Sequence, residues 1–276
     1  MQQKLAIVTG GTSGIGFHTA MALAENGFDI IITGRDRNKG HTAAVKLQKC
    51  HPHVSIEFRE LNLADLADVS QFTKTLLRKW DLLVNNAGAK IERPYRLTSD
   101  GFEWHIGVNH FGHAHLTRRL LPSANDGARV VFTTSIVARR GELKLGQNYV
   151  GMAPGRAYRD SKLFNLVSAL ELQRQQVNQG NRLTVSAAHP GFARAASYGN
   201  RLVRALEFLL AQSAKSGAQP IIEACLSAQA GYWGPKVFQL WGAAKTIPLP
   251  KSAMNQAERK NFWMESCRQL DEKALN

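Results

Sequence analysis

The run Thr-Gly-Gly-Thr-Ser-Gly-Ile-Gly, Thr9 to Gly16, follows directly on the apolar segment Leu5-Ala6-Ile7-Val8. Four glycines in eight residues leave the backbone bare where a strand-like segment gives way to a helix-like one. Such a turn lets backbone N–H groups come close to an anion, and the partial positive charge at the start of the helix favours the same anion. Strand, glycine-rich turn and helix in this order match the arrangement that binds the pyrophosphate of a dinucleotide. A turn serving only close packing has the same look, so the rest of the chain must decide.

The rest of the chain alternates. Apolar, β-rich runs occur at Leu5–Val8, Asp29–Thr33, Val54–Phe58, Leu82–Asn85, Arg129–Thr134, Leu183–Ala187 and Lys236–Leu240. Segments with helical spacing lie between them, around 14–26, 37–50, 65–79, 98–121, 157–178 and 214–229. This predicts an α/β, Rossmann-type doubly wound fold, with a mainly parallel seven-stranded sheet, helices on both faces and ligands at the carboxyl ends of the strands. No Pro- or Ser-rich linker interrupts the pattern, and 44% hydrophobic residues supply an ample core, so residues 1–276 are expected to form one domain. The irregular zone follows Pro190-Gly191. Its amphipathic run Arg201–Leu210 fits either a substrate lid over 192–213 or an ordinary packed helix.

Three scattered cysteines, Cys50, Cys225 and Cys267, suggest neither a disulfide framework nor a zinc cluster. No stretch approaches the roughly 20 apolar residues of a membrane span, and Met-Gln-Gln-Lys leads straight into the first strand, so a cytoplasmic protein without a signal peptide is expected. The formal charge of +14 comes from scattered Lys and Arg residues without aromatic interleaving, a poor footprint for nucleic acid and a reasonable one for an anionic cofactor. His105, His110, His113 and His115 are spaced five, three and two apart, which does not keep them on one helix face with carboxylate support, and no metal is expected.

The spacing Gly10, Gly14, Gly16 resembles that of the short-chain dehydrogenase/reductase family. So do Asn85-Asn86-Ala87-Gly88 after the fourth strand, Asn109 in "VNHFGHAHLT", Ser135 closing "VVFTTS", Tyr158 and Lys162 in "AYRDSK", and Pro190-Gly191 after the sixth strand. The resemblance runs from about residue 4 to 195. "DGFEWHIGVNHFGHAHLT" and "AYRDSKLFN" are similar to segments of the branch containing retinol dehydrogenases and light-dependent protochlorophyllide reductase.

The resemblance implies a catalytic set of Asn109, Ser135, Tyr158 and Lys162. Carbonyl reduction needs a proton donor at the oxygen, and a tyrosine serves only if its pKa of about 10 is brought towards the working pH. Tyr158 and Lys162, four apart, share a helix face where the ammonium can stabilise a phenolate. The family gives Lys162 this role together with a grip on the nicotinamide ribose. Ser135 would bond the substrate oxygen, and Asn109 would anchor a water leading protons to Lys162. Cofactor contacts are implied at Gly10, Thr12, Ser13, Gly14, Ile15, Gly16, Arg35, Asn62, Leu63, Asn86, Ala87, Gly88, Tyr158, Lys162, Pro190, Gly191 and Phe192.

Arg35 closes "IITGR" at the end of the second strand, where an acidic residue would favour NAD and an arginine accommodates the extra phosphate of NADP, so NADP(H) is expected. Asp36 would serve an NAD ribose if the loop were shifted by one residue. Two positions depart from the family pattern. Asn62 replaces an aspartate beside the adenine, and Ala195 stands where a threonine commonly touches the carboxamide, with the backbone at 190–193 or Ser197 as compensation. Phe192, Tyr198, Leu202, Leu206, Phe208 and Leu209 suggest a lipophilic or bulky small-molecule substrate, although core packing explains the same residues. The expected function is NADP(H)-dependent interconversion of a carbonyl and an alcohol. Carbon–carbon double-bond reduction is the alternative, and a non-catalytic dinucleotide sensor a more remote one. Relatives often associate through the helices carrying the catalytic Asn and Tyr, which implies a homodimer or homotetramer unless the 136–157 segment covers that surface.

Overall fold

The computed structural model describes residues 3–89, 95–145, 151–192 and 212–274. The strands are β1 (Leu5–Thr9), β2 (Asp29–Gly34), β3 (Ile56–Glu60), β4 (Trp80–Asn85), β5 (Ala124–Thr133), β6 (Thr184–Ala188), β7 (Tyr232–Val237) and β8 (Trp241–Thr246). They form one sheet in the order β3-β2-β1-β4-β5-β6-β7-β8, parallel except for the antiparallel pair β7–β8. Every residue of β1 is buried, as expected of a strand sandwiched between two helical layers.

The two layers have separate cores. On one face, α1 (Gly14–Glu25), α2 (Arg37–Cys50) and α7 (Ala214–Leu226) pack over Ala6, Val8, Ile30, Ile32 and Val84. On the other, α3 (Leu66–Thr75), α5 (Gly112–Leu120), α6 (Pro154–Asn178) and α8 (Gln256–Ala274) pack over Ile7, Leu83, Val130 and Phe132. Alternate residues of β1 thus feed opposite cores, as the pleat requires. The chain reverses its direction of winding between β1 and β4, so the crevice at their carboxyl ends is the switch point where doubly wound folds bind ligands.

Three expectations need correction. The sheet has eight strands rather than seven, and the seventh expected run, Lys236–Leu240, is mostly the turn between β7 and β8. Phe238 and Gln239 sit there at φ +47° and +59°, which a strand cannot accommodate. Gly234 and Pro235 disguise the true β7, since both weaken a strand reading, and the ladder is irregular between Pro235 and Val237. The helix expected over 98–121 begins only at Trp104: α4 (Trp104–Ile106) runs through a π-helical stretch, Gly107–Phe111, into α5.

The helix α8 was not foreseen. It is held by Phe262, Trp263 and Leu270, all buried, and by Ser266, whose Oγ lies 3.0 Å from His110 Nε2. Phe262 packs on Phe164 with ring centres 4.4 Å apart, and Arg259 bonds the fully buried Glu171 at 3.0 Å. The chain therefore covers with its own C-terminal helix part of the surface on α5 and α6 through which association was expected. Most of the anticipated lid, 193–211, including Ala195, Ser197, Tyr198, Leu202, Leu206, Phe208 and Leu209, lies outside the described residues. No described helix is long and apolar enough to cross a membrane.

Candidate active site

The glycine turn is shaped as the sequence requires. A Cβ on Gly16 would stand 2.3 Å from the Gly10 carbonyl oxygen, so only glycine lets α1 start this close to β1. Gly14 adopts φ +57°, and a Cβ there would meet nothing within 4 Å, so its role is conformational and the space beside it is open. Asp36, Asp65 and Ser213 cap α2, α3 and α7 with their side chains, whereas Ser13 at the start of α1 makes no such bond. The first N–H groups of α1 are left for an external acceptor, which fits a pyrophosphate.

One hydroxyl ties this turn to the segment after β4. Thr9 Oγ1 accepts from Asn86 N at 2.9 Å and Ala87 N at 3.0 Å. It lies 2.9 Å from His113 Nε2, while His113 Nδ1 lies 2.9 Å from the Asn109 carbonyl. A carbonyl only accepts, so Nδ1 carries the proton and Nε2 accepts from Thr9. Burial pushes His113 down to about 4, so the ring is neutral and this tautomer is the one the network needs. Asn86 Nδ2 also donates to the Thr9 carbonyl at 2.9 Å.

Asn109 lies in the π-helical stretch. Its Oδ1 accepts from Ala89 N at 2.7 Å and its Nδ2 donates to Ser161 Oγ at 2.9 Å, while Ser161 Oγ donates to the Tyr158 carbonyl at 2.8 Å. The side chain therefore joins the Asn-Asn-Ala-Gly segment to the helix carrying Tyr158.

Lys162 is 4% exposed, and its Nζ donates to the Thr133 carbonyl at 3.3 Å. Asn165 Nδ2 donates to the same carbonyl at 3.2 Å. Burial lowers the Lys162 ammonium to about 8. Its Nζ lies 5.8 Å from the Tyr158 ring centre and would be 3.3 Å from a Cβ on Gly88. Ser135, two residues past Thr133, is half-buried, and among the described residues its Oγ makes only a 3.5 Å contact with Val137 N. Tyr158 is half-buried too, with the His105 ring edge-on at 6.2 Å. His105 Nδ1 in turn bonds Glu103 at 2.7 Å, both side chains being 2% exposed.

The structure brings Gly10–Gly16, Asn86–Gly88, Asn109, Tyr158 and Lys162 to one end of the sheet. Arg35 follows β2 directly and is exposed. Asp36, the residue that could have served an NAD ribose, is turned away: it caps α2 at Lys39 N, 3.0 Å, and pairs with Lys39 Nζ at 3.2 Å. Arg37 pairs with Glu60 at 2.5 Å. The Oδ1 of Asn62 is used within its own loop, accepting from Ala64 N at 3.2 Å. Gly191, at φ +69°, and Phe192 are held by the β7–β8 turn, where Phe192 N donates to the Leu240 carbonyl at 3.1 Å. Sequence reasoning missed the positioning residues Thr9, His113, Ser161 and Glu103. Only the four-residue step from Asn109 to His113 was a visible signal, since it places both on one helical face.

The family profile described as short chain dehydrogenase matches residues 4–200. Retinol dehydrogenase 12 of Mus musculus is 32% identical over 278 residues, 97% of this chain and 86% of that protein. Retinol dehydrogenase 11 of Mus musculus is 38% identical over 197 residues, 68% of this chain and 61% of that protein, so this chain spans less than two thirds of its length. Among solved structures, an uncharacterized protein from Mycobacterium paratuberculosis superposes with a TM-score of 0.81 at 34% identity, covering 98% of this chain and 94% of that one. The glycine turn, the Asn-Asn-Ala-Gly segment and the Tyr158–Lys162 pair lie within the matched span, and the chain belongs to the short-chain dehydrogenase/reductase family of oxidoreductases, in its retinol dehydrogenase-like branch.

Proposed function

We propose that the protein is an NADP(H)-dependent oxidoreductase interconverting a carbonyl and an alcohol, with Tyr158 as the acid/base. The observation that carries this reading is Lys162: a lysine buried to 4% exposure, held by the Thr133 carbonyl and standing 5.8 Å from the Tyr158 ring centre. Burying an ammonium is costly, and a chain that keeps one at this position gains a charge that lowers the energy of a neighbouring phenolate. Bound NADPH would supply the hydride.

The protein's own part is to hold and deliver a proton. Tyr158 donates from its hydroxyl to the substrate oxygen as negative charge develops there, and Lys162 stabilises the phenolate left behind. Ser135, whose hydroxyl has among the described residues only the long contact to Val137 N, holds the substrate oxygen beside Tyr158. Asn109 fixes the distance between the helix bearing Tyr158 and the segment Asn86–Ala89 through its two bonds. With its side chain engaged in this way, Asn109 acts first as a brace, and any water in the proton path meets its remaining polar valences.

NADP(H) is favoured over NAD(H) because Asp36 is committed to the α2 cap while Arg35, on the ligand side of the same turn, has no carboxylate within ion-pair distance among the described residues. The retinol dehydrogenases among the relatives point to a lipophilic alcohol or aldehyde as substrate. The test is NADPH oxidation by the purified chain with a panel of hydrophobic aldehydes, retinal included, alongside fluorescence titration of NADPH and NADH. NADPH should bind more tightly. Arg35→Ala should cost about 1.5–3 kcal/mol of NADPH affinity, as for hydrogen bonds to a charged group, and leave NADH nearly unchanged. Equal losses for both cofactors remove Arg35 from the phosphate site, and no turnover with any aldehyde removes the carbonyl reading.

A further inference from the structure

On the helical run from Trp104 to Leu120, His110, His113 and His115 are held by the hydroxyls of Ser266, Thr9 and Ser70, at 3.0, 2.9 and 2.8 Å. His105 is held by a carboxylate instead, and its ring meets the proposed acid/base: it lies edge-on to Tyr158, with ring centres 6.2 Å apart and planes crossed at 84°. Crossed rings attract at roughly 4.5–7 Å between centres, so the contact is a favourable one. The anchor leaves the imidazole little freedom. Glu103 Oε2 accepts from His105 N at 2.8 Å and from Ile106 N at 2.9 Å, and Oε1 lies 2.7 Å from His105 Nδ1. The carboxylate accepts on both oxygens, so Nδ1 carries a proton and the ring cannot turn without breaking that bond.

Glu103 is itself fixed. Leu97 bridges Glu103 across the loop, Trp104 N donates to the Arg96 carbonyl at 3.1 Å, and Ser99 N donates to the Ala64 carbonyl at 3.1 Å, so the residue that aims the imidazole is tied to the segment after β3. One turn on from His105, Asn109 Nδ2 donates to Ser161 Oγ, which donates to the Tyr158 carbonyl. Those bonds hold the main chain of Tyr158. Two side-chain torsions still separate the main chain from the phenol hydroxyl, and a change of rotamer swings the hydroxyl away from a substrate oxygen. His105 and Asn109, four residues apart on one helical face, thus reach Tyr158 at its ring and at its backbone. A buried carboxylate–imidazole pair is rarely worth more to stability than apolar side chains of the same volume, and capping α4 needs only the carboxylate. The imidazole is left to be explained by what it touches.

We propose that His105, aimed by Glu103, is a positioning residue for Tyr158: its ring holds the phenol in the rotamer that presents the hydroxyl to the substrate oxygen. This rests on the acid/base reading of Tyr158 above. His105 transfers no proton in this role; its ring restrains the phenol, and Glu103 points the ring. Proton transfer needs the donor within hydrogen-bond reach of the oxygen, about 2.6–3.2 Å, so freeing the phenol lowers kcat and leaves the binding of cofactor and substrate in place. A misplacement of about 1 Å at a reacting group costs up to about 10²-fold.

The experiment uses the full chain with His105→Gln, whose amide still donates to Glu103 but carries no ring, and Glu103→Gln, which keeps the ring bonded and removes the carboxylate charge. With NADPH and an aldehyde that the wild type reduces, His105→Gln should lower kcat about 10- to 100-fold, with aldehyde KM, NADPH affinity and melting temperature close to wild type, and Glu103→Gln should lose no more than about threefold. In a Tyr158→Phe background His105→Gln should cost less than about twofold more, because the ring acts only through the phenol. Geometry is read apart from turnover by carbon-13 labelling of the tyrosine rings: the NMR signal missing in Tyr158→Phe should show a nuclear Overhauser contact to the His105 ring in the wild type and should shift in His105→Gln. A wild-type Tyr158 signal without that contact overturns the proposal even if His105→Gln fails to fold. So does an undiminished kcat in His105→Gln, an equal loss in Glu103→Gln, or an equal loss with and without the Tyr158 hydroxyl. Turnover retained in Tyr158→Phe, or absent with every aldehyde, overturns the acid/base reading and the proposal with it.

Discussion

The two sides of the sheet hold their loops in different ways. Around β1, β4 and β5, side chains do the work: Thr9 joins Asn86, Ala87 and His113, Asn109 joins Ala89 to Ser161, and Lys162 is pinned to Thr133. Around β6 to β8 backbone bonds carry more of it, with Phe192 N on the Leu240 carbonyl, Gln212 N on the Phe192 carbonyl and His189 N on the Trp233 carbonyl, beside side-chain bonds from Gly191 N to His189 Nδ1 and from Gly231 N to Ser186 Oγ, both 3.1 Å. Side-chain bonds need particular residues at particular positions and so leave motifs. Backbone bonds accept almost any residue and leave few, Pro190-Gly191 being the exception here. The half of the molecule that holds the proposed catalytic residues is therefore the more legible one.

That contrast can be tested, beginning with the largest effect. Tyr158→Phe keeps the ring and removes the hydroxyl, so turnover should fall about 10²–10⁴-fold while NADPH affinity and melting temperature stay close to wild type. Steady-state kinetics beside cofactor titration measures it, and retention of most turnover would place the proton donor elsewhere.

Lys162→Met should separate stability from activity. At pH 7 the lysine is charged in folded and unfolded chains alike, and folding bears the cost of burying it. Between about 8, its folded value, and the ordinary 10.5, only the unfolded chain keeps the proton, so wild-type stability climbs with pH through that window. The variant should thus be more stable than wild type at pH 7, by up to about 3 kcal/mol, with the advantage gone above pH 10.5, while turnover is lost. Denaturant titrations at pH 7 and 10 check the sign, and a variant less stable at pH 7 refutes it.

Thr9→Val and Gly191→Ala probe one region each at similar cost. The first leaves His113 Nε2 and the N–H groups of Asn86 and Ala87 without their acceptor or donor, for about 1–3 kcal/mol. The second forces a Cβ to 2.5 Å from the Leu240 carbonyl at φ +69°, also for about 1–3 kcal/mol. Their profiles should differ: Thr9→Val weakens NADPH affinity alone by shifting the Asn86–Gly88 segment, and Gly191→Ala, at an expected cofactor contact on the loop after β6, weakens NADPH affinity and raises the substrate KM together. Identical profiles would erase the distinction between the two sides.

The smallest effect expected is none. Since α8 lies on α5 and α6, through Asp271 on Arg118 and Arg259 on Glu171, dilution should not change the mass seen by light scattering, which should stay near the 30.5 kDa of one chain. A stable dimer mass at micromolar concentration would show that association uses another surface.

Much of the site is legible in the sequence. Gly10, Gly14 and Gly16 announce a turn that tolerates no side chain, and the Tyr158–Lys162 step announces a shared helix face. Arg35 is visible in the sequence, but that it has no carboxylate partner among the described residues is not, because that depends on Asp36 turning to cap α2 and on Glu60 arriving from β3 to take Arg37. His113 looked like one of several scattered histidines until its two nitrogens were found between Thr9 and the Asn109 carbonyl, 104 residues apart in one case and four in the other. The β7–β8 hairpin is hidden in the sequence because the apolar run Lys236–Leu240 has the look of a strand, while the true strand contains Gly234 and Pro235.

By itself the sequence determined the alternation of strands and helices from β1 to β6, the glycine turn and the residues available for proton transfer, because these depend on local periodicity and on chemistry carried by single side chains. Only the tertiary structure decided that Lys162 is buried beside Tyr158, that Asn109 serves as a brace, that the His105 ring stands edge-on to Tyr158 and that the C-terminal helix lies on α5 and α6. Each of these is a relation between residues far apart in the chain, fixed by how the two helical layers close over the sheet, and no local pattern carries that information.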